Sequence, residues 1–411
     1  MEYTGSMVVI DPKGECAAIS ARQRRNLGQE VIIINPFEIL KEEFETIDIP
    51  LCGFNPLAAL DKDDDNFVAD VSALAEALVA GDDVGNSDPY WRNSARDLIT
   101  CLIMYVCCSD KEKDNRHLPR VRELLTLDSE SLAEMMIQIS KDEFRPMAQK
   151  AMRFTREESS NASVISTAIS NTLFLDDPKL IDNLKRDDFR FDSLKTNYKT
   201  TVYIVLPAKF LLAYSQWFRL LITSGLDTLM STHEKADKNV LFMLDEFPIL
   251  GRMSCIETAI GLARGYGIQI WMFLQDIHQL NHLYKDKAES FLANTGMQQY
   301  FIPNDIITAE RISRRMGNTT LITTDVTTEL SAYGYDLNNM PTNVEISHKE
   351  RPLNYPIEIL SFHKDIQLVF FSGNASVVVM DKNYYYDKHM DDGKYTDDGK
   401  KLYDDNPYYN A

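Results

Sequence analysis

KNVLFMLDEFPILGRM, Lys238 to Met253, decides how the rest of this sequence is read. Five apolar residues, Val240–Leu244, run without a polar break and stop at two adjacent carboxylates, Asp245 and Glu246. A run that short and that apolar predicts a strand buried on both faces, as in the middle of a parallel sheet. Pro248 then bars the strand from continuing, because it has no N–H for the ladder. Two carboxylates at the tip of a buried strand are costly to desolvate unless they hold a metal or meet water in a cleft. That is the Walker B pattern, in which the first acid holds Mg²⁺ and the second activates the attacking water. A strand ending in a plain acidic turn has the same local sequence, so the rest of the chain has to choose between them.

Working outward, the flanking segments alternate strand and helix. Residues 239–246 are followed by a helix at about 253–264 and a strand at 268–275 that ends on Gln275. Upstream, 201–208 (TVYIVLPA) is a strand, followed by an amphipathic helix at about 210–232. At the start of the chain, 6–11 (SMVVID) and 30–36 (EVIIINP) are strands around a helix at 17–27, with Gly28 as its C′ residue. Strand–helix–strand units predict an α/β fold with a mostly parallel sheet flanked by helices.

Ligands in such sheets bind at the carboxyl ends of the strands. Those ends carry Asp11 and Lys13, Asp245 and Glu246, and Gln275. We read Asp11, Lys13 and Asp245 as cofactor-binding residues. Gln275 is placed to hydrogen-bond a γ-phosphate or the attacking water. Arg264, in the run ARGYG, can serve as an arginine finger across a subunit boundary, or simply face a helix C-terminus as a dipole partner.

Between about 55 and 187 strand-like runs vanish. Apolar residues recur at three-and-four spacing in 66–79 and 89–108, where Trp91, Ala95, Leu98, Leu102 and Val106 form one stripe. Further helices are expected at 118–127, 129–140, 142–152 and 161–174. The domain reading is therefore 1–54 with 188–386 as the α/β domain, and 55–187 as an inserted all-α domain. Within the α/β part a helix at 286–295, a strand at 298–302 and a helix at 306–316 continue the alternation. Residues 317–356 read as polar and irregular, and 367–372 with 375–381 as a hairpin around Gly373-Asn374. From 387 to 411 the chain is acidic, repeats DDGK twice, and is expected to lack order unless a partner supplies it.

The 411 residues are 44% hydrophobic and 26% charged, which suits a globular protein with a large core. No apolar run approaches the length of a membrane span. The six cysteines show no metal-ligand spacing and are read as free thiols. The net charge of −19 excludes a surface that is basic all over, but leaves room for a local basic channel for single- or double-stranded DNA.

The sequence resembles the type IV secretion coupling proteins, the TraG/TraD-type conjugative ATPases with a RecA-like P-loop fold. The resemblance rests on GSMVVIDPKGE (5–15), LGQEVIIINPF (27–37), WRNSARDLI (91–99), TVYIVLPA (201–208) and WFRLLI (217–222). LDEFPILGRM (244–253), ARGYGIQIWMFLQDIHQL (263–280) and RPLNYPIEIL (351–360) complete it, so that nearly the whole chain to about 386 is covered. It implies a homo-hexameric motor using ATP and Mg²⁺ at the cytoplasmic face of the bacterial inner membrane, bringing a relaxase–DNA complex or protein effectors to the secretion channel. By matching position, Asp245 looks like the acid that holds Mg²⁺ through water, Glu246 the catalytic acid, Arg264 the finger and Gln275 the sensor. Residues 55–187 match the family's all-α domain, associated with substrate contact.

Members of that family carry transmembrane helices and a GxxGxGK[ST] loop ahead of the segment matching GSMVVIDPKGE. No GKS or GKT occurs in these 411 residues. Without that loop there is no row of N–H groups and no lysine for the β- and γ-phosphates. This polypeptide alone is therefore expected to hydrolyse ATP poorly or not at all, as a gene fragment, through a misassigned start, or with the strand supplied by another chain. Loss of the loop's strand is expected to leave two strand edges unpaired. A non-hydrolysing substrate-docking or adaptor fragment is the alternative reading. A DNA translocase of the FtsK/HerA kind also shares the core, but DEFPxLG and the inserted helices argue against it.

Overall fold

In a computed structural model, Val240–Leu244 is the fourth strand of a five-stranded sheet. The strands are β1 (Met7–Asp11), β2 (Glu30–Ile34), β3 (Thr200–Val205), β4 (Val240–Leu244) and β5 (Ile268–Met272), in spatial order β2-β3-β1-β4-β5. Every pairing is parallel, as the unbroken apolar runs require. The structure describes residues 3–79, 89–155, 159–197, 199–232, 237–328, 342–374, 376–384 and 403–408. The chain divides into two compact units, Met1–Gln275 with Gln279–Phe291 and Lys388–Ala411, and Asp276–His278 with Leu292–Asp387.

Period-two alternation gives the sheet of the first unit its core. Met7, Val9, Val31, Ile33, Tyr203, Val205 and Leu241 share one buried cluster with Ala17, Ala18 and Ala21 of helix α1 (Glu15–Asn26). The three alanines let α1 lie close to the strands. Gly28 takes a left-handed conformation (φ 77°) and its N–H caps Arg25 O at 2.8 Å, so the helix stops where the sequence places its end.

The helical layer of the same unit includes α2 (Phe67–Leu78) and α3 (Pro89–Cys108). On α3 four residues of the predicted stripe, Ala95, Leu98, Leu102 and Val106, are fully buried and the fifth, Trp91, is half-buried, but Ile99, Cys101, Ile103 and Met104 are fully buried too. The helix is covered on nearly all sides because α2 and the helices Leu118–Leu125, Arg145–Met152 and Ser159–Asn171 all pack on it. The layer joins the sheet region through α4 (Ser215–Ser231), which packs on α2. It also joins through the segment 51–54. Ile33 O accepts Cys52 N–H at 2.8 Å, and Asn183 O accepts Phe54 N–H at 3.0 Å. Gly53 sits at that crossing with no room to spare: a Cβ there would lie 2.5 Å from Asn183 O and 2.5 Å from Arg186 Cβ. Gly53→Ala is expected to cost about 1–3 kcal/mol, read as a lowered melting temperature. An unchanged melting point would show that the crossing relaxes freely.

Asp227 on α4 is largely buried, and the charges acting on it, Asp70 and Glu76, are both negative. Burial first, then those two carboxylates, push its pKa up to about 7. A carboxyl whose folded pKa is raised contributes stability that is complete below its unfolded value and is lost as pH rises through the folded one. Asp227→Asn is therefore expected to stabilise the protein above pH 7 by on the order of 3 kcal/mol and to make no difference by about pH 4. Calorimetry across that range checks it, and a pH-independent difference would contradict the assignment.

In the second unit β6 (Met297–Phe301), β9 (Ile366–Phe371) and β10 (Val378–Asp381) form an antiparallel sheet in the order β10-β9-β6. The predicted strand pair around Gly373-Asn374 is thus present. Ala309, Ile312, Ile359, Leu368 and Phe370 make this unit's core. The reading of 317–356 as irregular is corrected. β7 (Asn318–Thr328) and β8 (Thr342–Pro352) form a continuous antiparallel ladder from Asn318↔Pro352 to Thr328↔Thr342. Polarity misled there, since threonine is β-branched and suits a strand with both faces near water. Residues 329–341 lie outside the described residues.

Among the described residues β2 and β5 end the sheet of the first unit, and β10 and β6 end the three-stranded sheet of the second, so all four are edge strands. β5 shows it in its side chains: Ile270, Trp271 and Met272 are half-buried, whereas every residue of β1 is buried.

Candidate active site at the strand ends

Register brings the acids to one rim. Ile10 pairs with Leu244 and Leu244 with Met272, so Asp11 and Asp245 follow paired residues on neighbouring strands, and Gln275 lies three positions beyond Met272 on the next. Two bonds extend the contact past the strands. Phe273 N–H donates to Leu244 O at 3.1 Å, and Phe247 N–H donates to Phe273 O at 3.2 Å. Phe247 is fully buried and stacked on Tyr284, with ring centroids 6.0 Å apart, which pins the turn from below.

Glu246 and Gln275 meet as a result. The Gln275 amide donates to both carboxylate oxygens of Glu246, each at 3.3 Å. Gln275 is itself held by its backbone N–H, which donates to Gln279 Oε1 at 3.0 Å. Glu246 adopts a left-handed backbone (φ 48°, ψ 42°), unusual for a residue with a Cβ, before Phe247–Leu250 turns in a 3₁₀ helix. Asp245 is exposed beside it. Partial burial and then the Glu246 charge raise its pKa, while a bond from the Glu246 backbone and the Lys13 ammonium oppose the rise.

Asp11 is in a different situation. Only 2% of it is exposed, and its Oδ2 accepts Ala17 N–H at 2.8 Å in the first turn of α1. Burial pushes its pKa up to about 6; bonds from the Ala17, Cys16 and Gly14 amides pull against that, and the Asp245 charge adds to it. The carboxylate therefore occupies the anion position of a helix N-terminus, where a phosphate would otherwise be favoured. Lys13 is exposed, with Nζ 3.6 Å from Glu15 Oε1. Glu15 enters the sequence reading only as the last residue of GSMVVIDPKGE, with no role of its own. That same buried oxygen has no hydrogen-bond partner, and a residue next to the motif DPKG is the only signal that could have pointed to it.

Arg264 is not brought to this rim. It lies exposed in the Ala263–Tyr266 turn that enters β5, while Gln275 follows the strand's exit. Five strand residues separate the two ends by about 17 Å. Within one chain Arg264 therefore does not meet Glu246.

A family profile described as "Type IV secretory system Conjugative DNA transfer" matches residues 1–404. The chain belongs to this conjugative DNA transfer family. Relatives in it include the type IV secretion system-coupling protein VirD4 of Bartonella henselae, 28% identical over 95% of this chain and 60% of its own. Another is the conjugal transfer protein TraG of Agrobacterium fabrum, 29% identical over 91% of this chain and 55% of its own. The chain thus spans just over half the length of these relatives. Its fold is that of the bacterial conjugative coupling protein TrwBΔN70, with a TM-score of 0.67, 15% identity, and coverage of 92% of this chain and 79% of that one. TrwB has also been solved in complex with ADP and Mg²⁺, at a TM-score of 0.65. An α/β fold with a parallel sheet flanked by helices, and membership of the conjugative transfer family, both expected from the sequence, are thereby established.

Proposed function

We propose that this chain is the motor part of a coupling protein that uses ATP and Mg²⁺ to deliver relaxase–DNA or protein substrates to a type IV secretion channel. The observation that carries this reading is the Gln275 amide held on the Glu246 carboxylate beside an exposed Asp245. Glu246 is the base that polarises water, and Gln275 orients it or senses the phosphate. The described residues contain no group of three or more metal-ligating side chains. A Mg²⁺ here would be held by Asp245 with water and phosphate oxygens, the kind of coordination this ion prefers. The metal would supply charge neutralisation at the phosphates. Asp11 positions α1 rather than the nucleotide, and Lys13 offers a cation to phosphate. α1 offers no phosphate cradle, because Asp11 already takes its N-terminal amides.

Arg264 acts in a neighbouring copy, since it cannot reach Glu246 in its own. That requires at least a second copy of the chain and accords with the homo-hexameric ring that the family resemblance implies, in which 55–187 is the substrate-contacting domain and 1–54 with 188–386 the α/β domain. The ring works at the cytoplasmic face of the inner membrane. Among the described residues no helix is long and apolar enough to cross a membrane.

The test is DNA transfer from donor cells whose only copy of the gene carries Glu246→Gln. Transfer should collapse; undiminished transfer would remove Glu246 from the mechanism.

A further inference from the structure

Residues 403–408 do not trail away from the molecule. Arg22 on α1 grips Asp404 with two parallel bonds, Nε to Oδ2 at 3.1 Å and Nη2 to Oδ1 at 2.5 Å. Asp404 N–H donates to Ile19 O at 3.1 Å, so main chain as well as side chain is engaged. Asn406 is buried, and its Oδ1 accepts Tyr408 N–H at 2.9 Å across Pro407. That is an Asx turn with proline fixing one dihedral, which lowers the entropy lost on docking. Tyr408 then reaches the strand-end rim, where its hydroxyl donates to Lys13 O at 3.0 Å.

Charge alone would keep an acidic segment off a protein of net charge −19. The exception is the basic run of α1. There Arg24 is buried on Thr201, Gly5 and Gln29, and Arg25 bonds the Ile47 and Asp48 carbonyls. Arg22 is the arginine of the run turned to the segment. A bidentate pair sets geometry as well as attraction. Its two side chains are each about one-third exposed (37% and 33%), so solvent weakens it enough to be reversible.

We propose that the outer face of α1 is a peptide-docking surface for a short acidic peptide ending in a proline–tyrosine turn, and that its occupant is the chain's own segment Tyr403–Tyr408. Because the segment ends on the Lys13 carbonyl, its seating constrains the turn that carries Lys13. The second statement rests on the nucleotide-site reading given above; the docking itself does not.

Hydrogen exchange on the full chain tests the docking. The peptide covering 403–408 should be protected, and Arg22→Glu should raise its exchange by about 10-fold or more. Combining Arg22→Glu with Asp404→Arg should restore protection, as expected for a direct pair. Exchange of β1 and β3 amides reports whether Arg22→Glu still folds. If it does not, Asp404→Arg alone is read against Arg22→Glu/Asp404→Arg. Unprotected amides at 403–408 in the parent chain, or protection untouched by the charge changes, would overturn the proposal. Tyr408→Phe should raise exchange of the Gly14 amide, which donates to Asp11 O at 3.2 Å; unchanged exchange there would remove the link to the Lys13 turn. None of these readouts involves nucleotide or transfer, so their failure leaves the Glu246 reading standing.

Discussion

Glu246→Gln is expected to lower DNA transfer by about 10²-fold or more, the range over which a positioned general base contributes. The substitution keeps the shape of the side chain and removes only its charge and basicity. The Gln275 amide would then meet an amide oxygen instead of two carboxylate oxygens, so the two residues stay together but the water loses its base. Stability should move little or upward. The Glu246 charge is one of the influences raising the pKa of Asp245, and removing it relieves like-charge repulsion at the rim. Transfer frequency in donor cells is therefore compared with the melting temperature of the purified chain. Lost transfer with a retained melting temperature identifies a chemical role. Lost transfer with a melting temperature several degrees lower would mean that the variant acts through the fold.

Arg24→Ala should have the largest effect on stability, about 3–5 kcal/mol, because several buried acceptors each lose a bond to a charged donor. Only 1% of Arg24 is exposed. It donates to Thr201 Oγ1 at 2.9 Å, Gly5 O at 3.0 Å and Gln29 Oε1 at 2.7 Å, and also to Tyr3 O. These partners lie on β3, on the lead-in to β1 and just past the end of α1, so one guanidinium ties three chain segments together. Burial lowers its pKa, and its acceptors are neutral oxygens. Removing it strands those acceptors in a site that water does not reach. Arg24→Met, which keeps the stem and discards the charge, should cost less, because burying the guanidinium charge was itself expensive. Denaturant unfolding followed by tryptophan fluorescence measures both. A loss below about 1 kcal/mol for the alanine variant would mean the network contributes little net stability.

The sheet was legible because its strands are short, apolar and stopped by proline or acid, and the parallel order follows from the helices between them. Asp245, Glu246 and Gln275 were legible for the same reason: residues that end adjacent strands must share a rim. Asp11 also ends a strand, yet its side chain is turned inward to α1. Strand position fixes where a Cα lies and not which amides a carboxylate will find. Arg264 was placed by its motif, and counting strand residues between it and Gln275 would already have put it at the other end. The β7–β8 ladder was missed because composition was weighed above β-branching. Residues 403–408 were hidden for a different reason. Their partners, Ile19, Arg22 and Lys13, are nearly four hundred positions away in sequence, and no local pattern announces a contact of that range.

The left-handed backbone at Glu246 carries a stability cost at the position proposed as the catalytic base. A side chain with a Cβ is held there at a cost of about 1–2 kcal/mol relative to a relaxed conformation, where glycine would sit without strain. On the role proposed for Glu246, exchanging it for glycine would trade activity for stability. Laboratory evolution for heat resistance, run without a transfer requirement, would then be expected to find this residue early and to yield a sturdier protein that no longer works.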